Sequence, residues 1–179
     1  MKSTINNKET AILGLLFEKP MHGYDIEQAI RMRDMRYWTE ISMSSVYKVL
    51  KKLEEKKLVV SQLRIAQNNL AQKVYTITPA GMHGLKEKVS FLFSGFDHQR
   101  WDLDLAISNL GILPDDEKKE CLEAYIRKLE ELYKGYGELE KYLKAEGCPD
   151  YRMALATRPQ YLYRAEMEWA KDYLRMFNN

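Results

Sequence analysis

Apolar residues recur at helical spacing along most of the chain, and the breaks between the repeats fall at residues that cap or end helices. Asn6 and Asn7 can cap a helix that runs through residues 11–17, and Pro20 ends it. A second helix of about three turns is predicted after the proline. A third is predicted over residues 43–57, following Ser42 as its N-cap.

The third predicted helix has two contrasting faces, because successive residues turn by about 100°. One arc contains Val46, Val49, Leu50 and Leu53, and the opposite arc contains Ser44, Tyr47, Lys48, Lys51 and Lys52. Hydroxyls in the first turn with lysines behind them suit a helix that enters the DNA major groove, with lysines at the phosphates. A merely solvated lysine-rich face is the alternative.

Two runs rich in β-branched and aromatic residues, 58–65 and 73–78, predict a β-hairpin directly after this helix. Asn68 and Asn69 lie at its turn, where they serve either the turn itself or DNA contact. Three helices followed by a hairpin is the element order of a winged helix-turn-helix, in which the hairpin reaches the flanking DNA backbone.

Four segments resemble the DNA-binding domain of PadR-like transcriptional regulators in order and spacing. They are AILGLL at 11–16, HGYDI at 22–26, SMSSVYKVLKKLE at 42–54 and VYTITPAG at 74–81. The resemblance implies a first helix, the Gly-Tyr opening of a second, a recognition helix and the second wing strand. The chain departs from the family at Lys57, where glycine usually follows the recognition helix, which favours a differently built turn. A second departure from the family is the tip of the wing, which is neutral here (QNN at 67–69) rather than basic.

The second half of the chain is patterned for long helices. Between residues 117 and 147 the apolar positions follow a coiled-coil heptad: Leu122, Tyr125, Leu129, Leu132, Tyr136, Leu139 and Leu143. Such a helix would be roughly 45 Å long and is expected to lack a partner of adequate length in its own chain. The last helix, predicted after Pro159, carries Trp169 on its apolar face. These residues are predicted to form a dimer interface, with packing on the chain's own helices as the alternative.

An aromatic cluster is predicted where the two halves join: Phe91, Phe93, Phe96 and Trp101. These side chains form either interdomain core or the wall of a cavity for an aromatic effector. The family resemblance implies a C-terminal helical dimerisation domain and, in several members, a response to phenolic or drug-like compounds.

Charge divides the 179-residue chain at about the same point. Residues 1–90 contain 15 lysines and arginines against nine aspartates and glutamates, whereas residues 91–179 contain 13 against 17. A basic half indicates a polyanionic partner. Two domains are therefore predicted, a winged helix-turn-helix at 1–90 and a helical dimerisation domain at 91–179.

Two cysteines and three histidines, widely spaced, indicate neither a disulfide framework nor a metal site.

Together these features predict a mostly α-helical protein with a small β-hairpin wing, acting as a homodimeric regulator that binds a palindromic operator. The resemblance makes it a repressor. The residues predicted to contact DNA are Ser44, Ser45, Tyr47, Lys48, Lys51, Lys52, Arg64, Asn68, Asn69 and Lys73. A winged-helix module that binds only protein is the alternative. No phosphate loop or nucleophile elbow is present in the sequence, so neither an enzyme nor a cofactor is expected. A polar N-terminus without a long apolar run predicts a cytoplasmic protein.

Overall fold

The computed structural model describes residues 5–42, 45–65, 71–95 and 102–177. Its elements are α1 (Asn7–Glu18), β1 (Met21–His22), α2 (Gly23–Met32), α3 (Val46–Glu55), β2 (Val59–Ile65), β3 (Ala71–Ile77), α4 (Pro79–Ser94), α5 (Asp102–Ser108), α6 (Asp115–Ala145) and α7 (Asp150–Met176). The chain divides into two units, Met1–His98 and Gln99–Asn179. The predicted fold class, mostly helical with a hairpin wing, is confirmed. The domain boundary predicted after residue 90 falls within α4.

The start of α1 is held by a capping box, in which the predicted cap Asn6 is joined by Glu9. The Asn6 side chain accepts the Glu9 backbone N–H at 2.9 Å, and the Glu9 carboxylate accepts the Asn6 N–H at 3.0 Å. Glu9 is 1% exposed and also accepts from Lys56 Nζ at 2.7 Å, one residue beyond α3. Burial of a charge is tolerated when it is paired and hydrogen-bonded, so this carboxylate links the beginning of α1 to the end of α3.

The sheet has the strand order β1-β3-β2, and both pairings are antiparallel. The wing hairpin runs in register from Val59 opposite Ile77 to Ile65 opposite Ala71. The two-residue strand β1, which places Met21 opposite Tyr75, is not predicted by the sequence analysis. A strand of this length shows no alternation of apolar and polar residues that a pattern could reveal.

The recognition helix α3 begins later than predicted. Its N-cap is Ser45, three residues beyond Ser42. The Ser45 hydroxyl donates to the Ser42 carbonyl at 2.6 Å and accepts the Ser42 N–H at 3.1 Å. The two serines therefore close a turn of their own ahead of the helix, which explains why Ser42 does not serve as its cap.

At the other end of α3 the expectation of a differently built turn is wrong. Lys57 has φ +58°, the left-handed conformation that glycine usually supplies. The Leu58 N–H donates to the Leu53 carbonyl and the Lys57 N–H to the Glu54 carbonyl, both at 2.9 Å. These are the two hydrogen bonds of a Schellman motif, and they hold a lysine in a backbone conformation that costs roughly 1 kcal/mol for a residue with a Cβ.

The start of α4 is fastened to the same turn. The Thr78 side chain caps α4 by accepting the Gly81 N–H at 3.0 Å, and its hydroxyl donates to the Lys57 carbonyl at 2.9 Å. A Cβ on Gly81 would lie 2.1 Å from the Leu58 carbonyl oxygen, so only glycine fits there. This contact accounts for the Thr-x-x-Gly ending of the fourth motif.

In the second unit, α6 packs along α7, so the expectation that α6 has no partner of adequate length in its own chain is wrong. Helix α7 has 27 residues against 31 in α6. Leu122 and Leu129, predicted at a dimer interface, are buried together with Ile126. On α7 the fully buried residues are Ala156 and Ala170. Small residues on α7 let the larger side chains of α6 approach closely.

Helix α7 starts at Asp150 and contains Pro159, whereas the sequence analysis predicts its start after that proline. Proline removes one backbone hydrogen bond and disfavours helix in the preceding residue. Packing offsets this cost, because Ala156 is buried and the Gln160 side-chain amide donates to Glu140 Oε2 of α6 at 2.6 Å. Tertiary contacts on both sides of the proline thus hold one continuous helix.

Replacing Lys57 with glycine is expected to stabilise the first unit by about 0.5–1 kcal/mol, because it removes the left-handed strain and keeps the Schellman hydrogen bonds. The control is Lys57→Ala, which removes the same charge but retains a Cβ, and its effect should stay within about 0.5 kcal/mol. Urea denaturation measures both. Equal shifts for the two variants would show that the backbone conformation is not the cause.

Candidate nucleic-acid interface

The recognition helix α3 is attached to the protein through one face only. Its buried residues are Val46, Val49, Leu50 and Leu53. The side chains of Lys48, Lys51 and Lys52 are exposed on the other side. Among the described residues, Lys48 and Lys52 form no ion pair, and Lys51 Nζ lies 4.0 Å from Glu55 Oε1. The predicted lysine face therefore exists and carries positive charge that is little compensated.

The first turn ahead of α3 is described only in part. Ser45 is half-buried and bonded to Ser42, whereas Ser44 lies outside the described residues. Tyr47 is exposed at the start of α3, and its ring lies against Gly23 at the start of α2. A Cβ on Gly23 would lie 2.5 Å from Tyr47 Cε1. The contact between α2 and α3 at this point depends on that glycine.

A concavity of about 330 Å³ opens beside this contact. Its walls come from the start of α2, the start of α3 and strand β3: His22, Gly23, Tyr24, Asp25, Tyr47, Gln72, Lys73 and Tyr75. Burial, with the Glu27 carboxylate next in importance, raises the pKa of the Tyr47 phenol, so this hydroxyl remains a hydrogen-bond donor at neutral pH. The Tyr47 ring contacts Gly23 and thereby joins α3 to α2, whereas Tyr24 is 63% exposed.

The wing carries two basic residues with different surroundings. Arg64 lies opposite Gln72 in the hairpin and is exposed. Lys73 Nζ instead donates to Glu54 Oε2 of α3 at 2.7 Å and lies 5.3 Å from the centre of the Tyr75 ring. Its charge is thus paired within the protein. The tip residues Asn68 and Asn69 lie outside the described residues.

The ion pair between Lys73 and Glu54 shifts the pKa of both groups. The hydrogen bond to Glu54 raises the pKa of the Lys73 ammonium. The hydrogen bonds from Lys73 and then from Ser61 lower the pKa of the Glu54 carboxyl. Both groups therefore remain charged at neutral pH. The sequence analysis predicts Lys73 as a DNA contact and does not predict its pairing with Glu54, because the two residues are 19 positions apart and no local pattern joins them.

The predicted aromatic cluster is described only on α4. Phe91 is 51% and Phe93 94% exposed, whereas Phe96 and Trp101 lie outside the described residues. Residues two apart on a helix differ by about 200° in direction, so Phe91 and Phe93 do not share a wall. Lys88 Nζ lies 5.6 Å from the Phe91 ring. The described part of the chain does not gather these residues into one cluster.

The other residues predicted at a dimer interface lie along the α6–α7 hairpin. Burial, followed by the Glu166 carboxylate, raises the pKa of Tyr125 to about 12. The Tyr136 ring lies 5.7 Å from that of Tyr163. Trp169 stacks on Tyr173 at 5.5 Å. Leu132 and Leu143 are half-buried and Leu139 is exposed. The heptad stripe is thus covered most fully at its N-terminal end.

The described residues contain no group of three or more histidine, cysteine or acidic side chains arranged to hold a metal ion. Among the same residues, no helix combines the length and apolar character that crossing a membrane requires.

Comparison with known proteins agrees with this geometry. Residues 12–87 match the model of the transcriptional regulator PadR-like family. The "Negative transcriptional regulator PadR" of Bacillus subtilis (strain 168) is 32% identical over 77 residues, which are 43% of this chain and 42% of that protein. The matched sequence therefore spans less than half of that relative.

Solved structures extend the likeness in fold to nearly the whole chain. Bacillus subtilis PadR in complex with operator DNA has a TM-score of 0.77 at 22% identity, with 97% of this chain and 98% of that chain covered. The same protein in complex with p-coumaric acid has a TM-score of 0.75 at 19% identity, with coverage of 96% and 98%. The Vibrio cholerae virulence activator AphA has a TM-score of 0.69 at 22% identity, with coverage of 95% and 97%.

A basic third helix beside a two-stranded wing places the protein in the winged helix-turn-helix class. Within that class, residues 12–87 are similar to the PadR-like family of transcriptional regulators. The family consists of regulators and not of enzymes.

Replacing Gly23 with alanine is expected to destabilise the first unit, because the new Cβ displaces the Tyr47 ring. The matched control is Gly14→Ala in α1, where nothing lies within 4 Å and helix propensity alone should stabilise by up to about 1 kcal/mol. In a Tyr47→Ala background, Gly23→Ala should become stabilising as well. Urea denaturation of the four combinations measures this coupling, and additive effects would contradict it.

Proposed function

We propose that this protein is a sequence-specific DNA-binding transcriptional regulator whose helix α3 enters the major groove. The observation that carries the proposal is the exposed face of Lys48, Lys51 and Lys52, directly opposite the buried face of the same helix. Lysines bind phosphates as flexible point charges while residues of the first turn reach the base edges. The Bacillus subtilis PadR complex with operator DNA supports this, since that protein shares the fold.

A winged-helix module that binds only protein is the second candidate. Such a module is expected to present an apolar patch on the outer face of its third helix. The outer face of α3 instead carries three exposed lysines and a tyrosine. This composition favours DNA over a protein partner.

We infer that two copies pair through the hairpin of α6 and α7. Apolar side chains remain exposed after these helices pack on each other, including Leu139, Leu155, Leu162, Trp169 and Met176. A two-fold dimer would present two copies of α3, so its operator would be an inverted repeat. The Bacillus subtilis relative is named a negative regulator, which supports repression as the outcome of binding.

We further propose that a small aromatic effector lowers operator affinity by binding beside one of the two exposed aromatic residues of α4, which face different sides of that helix. The support is the exposure of Phe91 and Phe93 and the solved complex of Bacillus subtilis PadR with p-coumaric acid. Such a ligand regulates only if it binds the DNA-free form more tightly. A tenfold loss of operator affinity requires a difference of about 1.4 kcal/mol, which burial of a few methylene groups supplies.

Selection of duplexes from a random pool by the purified protein tests DNA binding and dimer symmetry together. The selected sequences are expected to be inverted repeats, with half-sites separated by one or two helical turns of about 10 bp. If about six phosphates are neutralised, log affinity should fall with log salt at a slope of roughly −5. Changing Lys48, Lys51 and Lys52 to glutamate should abolish binding with the fold intact.

The matched control for that triple variant changes three exposed lysines of α6, Lys128, Lys134 and Lys141, to glutamate. The control alters net charge equally and should reduce affinity far less. Normal binding by the α3 variant would contradict the proposed function. Selection of single, asymmetric half-sites would contradict the dimer and leave DNA binding standing.

For the effector, p-coumaric acid and a panel of planar cationic drugs are added to the protein bound to a fluorescent selected duplex. At least one compound is expected to lower the affinity about tenfold, measured by fluorescence anisotropy. Phe91→Ala with Phe93→Ala should remove the response, whereas Phe17→Ala, on an exposed residue of α1, should not. A response unchanged by the paired variant would place the effector elsewhere.

A further inference from the structure

A carboxylate in the recognition helix connects that helix to both strands of the wing. Glu54, in the last turn of α3, accepts a hydrogen bond from Lys73 of β3 on Oε2 at 2.7 Å. Its other oxygen accepts the Ser61 hydroxyl of β2. The three residues Glu54, Ser61 and Lys73 are called the Glu54 clasp below.

A negative charge on a DNA-reading helix needs a physical explanation. The Glu54 carboxylate repels phosphates, so it does not add to DNA affinity by its own charge. The pair is also partly exposed, 34% at Glu54 and 45% at Lys73, and exposed ion pairs contribute little to stability. What distinguishes this carboxylate is that its two donors come from different strands of the hairpin.

The hairpin has few other ties to α3. Its base is held by the turn at Leu58, by Thr78 and by the pairing of β3 with β1, which ends at Val74. Beyond Val74 and its partner Gln62, the described parts of β2 and β3 pair only with each other. Arg64 lies two residues beyond Gln62, which is about 7 Å along a strand. A 20° pivot about the Gln62–Val74 pair would therefore move the Arg64 backbone by roughly 2 Å, enough to break a hydrogen bond to a phosphate.

We propose that Glu54 is a positioning residue for DNA recognition, which holds Ser61 and Lys73 and thereby sets the angle of the wing against α3. Lys73 then acts through the Glu54 clasp and is not a phosphate ligand. The inference rests on the proposed function. It predicts two opposite effects of the substitution Glu54→Gln on DNA binding. Removal of the negative charge strengthens the attraction to any DNA sequence, whereas release of the wing weakens recognition of one particular sequence.

The experiment compares Glu54→Gln with Glu55→Gln. Glu55 is a neighbouring residue of the same charge that bears no hydrogen bond to the described residues of the wing. Affinity is measured for a duplex selected by the wild type and for a scrambled duplex of equal length, over a range of salt concentrations. Both variants should bind the scrambled duplex somewhat more tightly than the wild type does. Only Glu54→Gln should lose affinity for the selected duplex. Its specificity ratio, the affinity for the selected duplex divided by that for the scrambled duplex, should fall on the order of tenfold.

The salt dependence separates the two roles of Lys73. If Lys73 acts only through the Glu54 clasp, Lys73→Gln should lower the specificity ratio as Glu54→Gln does. The slope of log affinity against log salt should then stay unchanged. A phosphate ligand would reduce the slope by about 0.9 and weaken both duplexes equally. The exchanged pair Glu54→Lys with Lys73→Glu should recover most of the ratio, since it restores the ion pair.

Thermal unfolding is used to check that each variant is folded. If Glu54→Gln does not fold, Ser61→Ala replaces it in the comparison, because this variant removes one hydrogen-bond donor to Glu54 without a change of charge. An unchanged specificity ratio in all clasp variants, with normal selection by the wild type, overturns this inference alone. A reduced salt slope in Lys73→Gln does the same. A wild type that selects no duplex overturns the proposed function first.

Discussion

Burial of one face of α3 is the constraint on which the first unit depends. Val46, Leu50 and Leu53 are fully buried, so the helix cannot rotate about its axis without exposing them. The orientation of its opposite face follows from this packing and not from any contact of the lysines themselves. The reading surface can therefore be almost entirely polar, because the apolar residues behind it supply its stability.

The short segments next to α3 transmit this constraint to the rest of the unit. The buried carboxylate of Glu9 joins the start of α1 to Lys56. The left-handed turn at Lys57 reverses the chain within one residue, and Thr78 bonds the same turn from the far end of the hairpin. The helix, wing and α4 thus meet around a few backbone atoms, and their mutual geometry depends on local hydrogen bonds rather than on long loops.

Local patterns in the sequence predict most of the helices, the hairpin and the lysine face, because caps and amphipathic spacing act over a few residues. Asn6, one of the two asparagines predicted to cap α1, shows this. Interactions between distant residues escape such patterns. The pairing of Lys73 with Glu54, the helix that continues through Pro159, and the use of α7 as the partner of α6 are decided by contacts over 19 or more residues. The turn at Lys57 is local but was also not predictable from the sequence. Lysine rarely adopts the left-handed conformation, so its presence gives no sign that this residue has a positive φ.

The strand order of the small sheet has a consequence for solubility. Strand β1 covers β3 only at Tyr75 and Val74, and β2 has no neighbour on its outer side among the described strands. Open edges of this kind invite pairing with other chains unless charged side chains interrupt them. Arg64 and Lys73 stand on these two edges near the free end of the hairpin. The exposed charge of Arg64 therefore disfavours edge-to-edge pairing at β2, an effect that applies to the protein before it meets any partner.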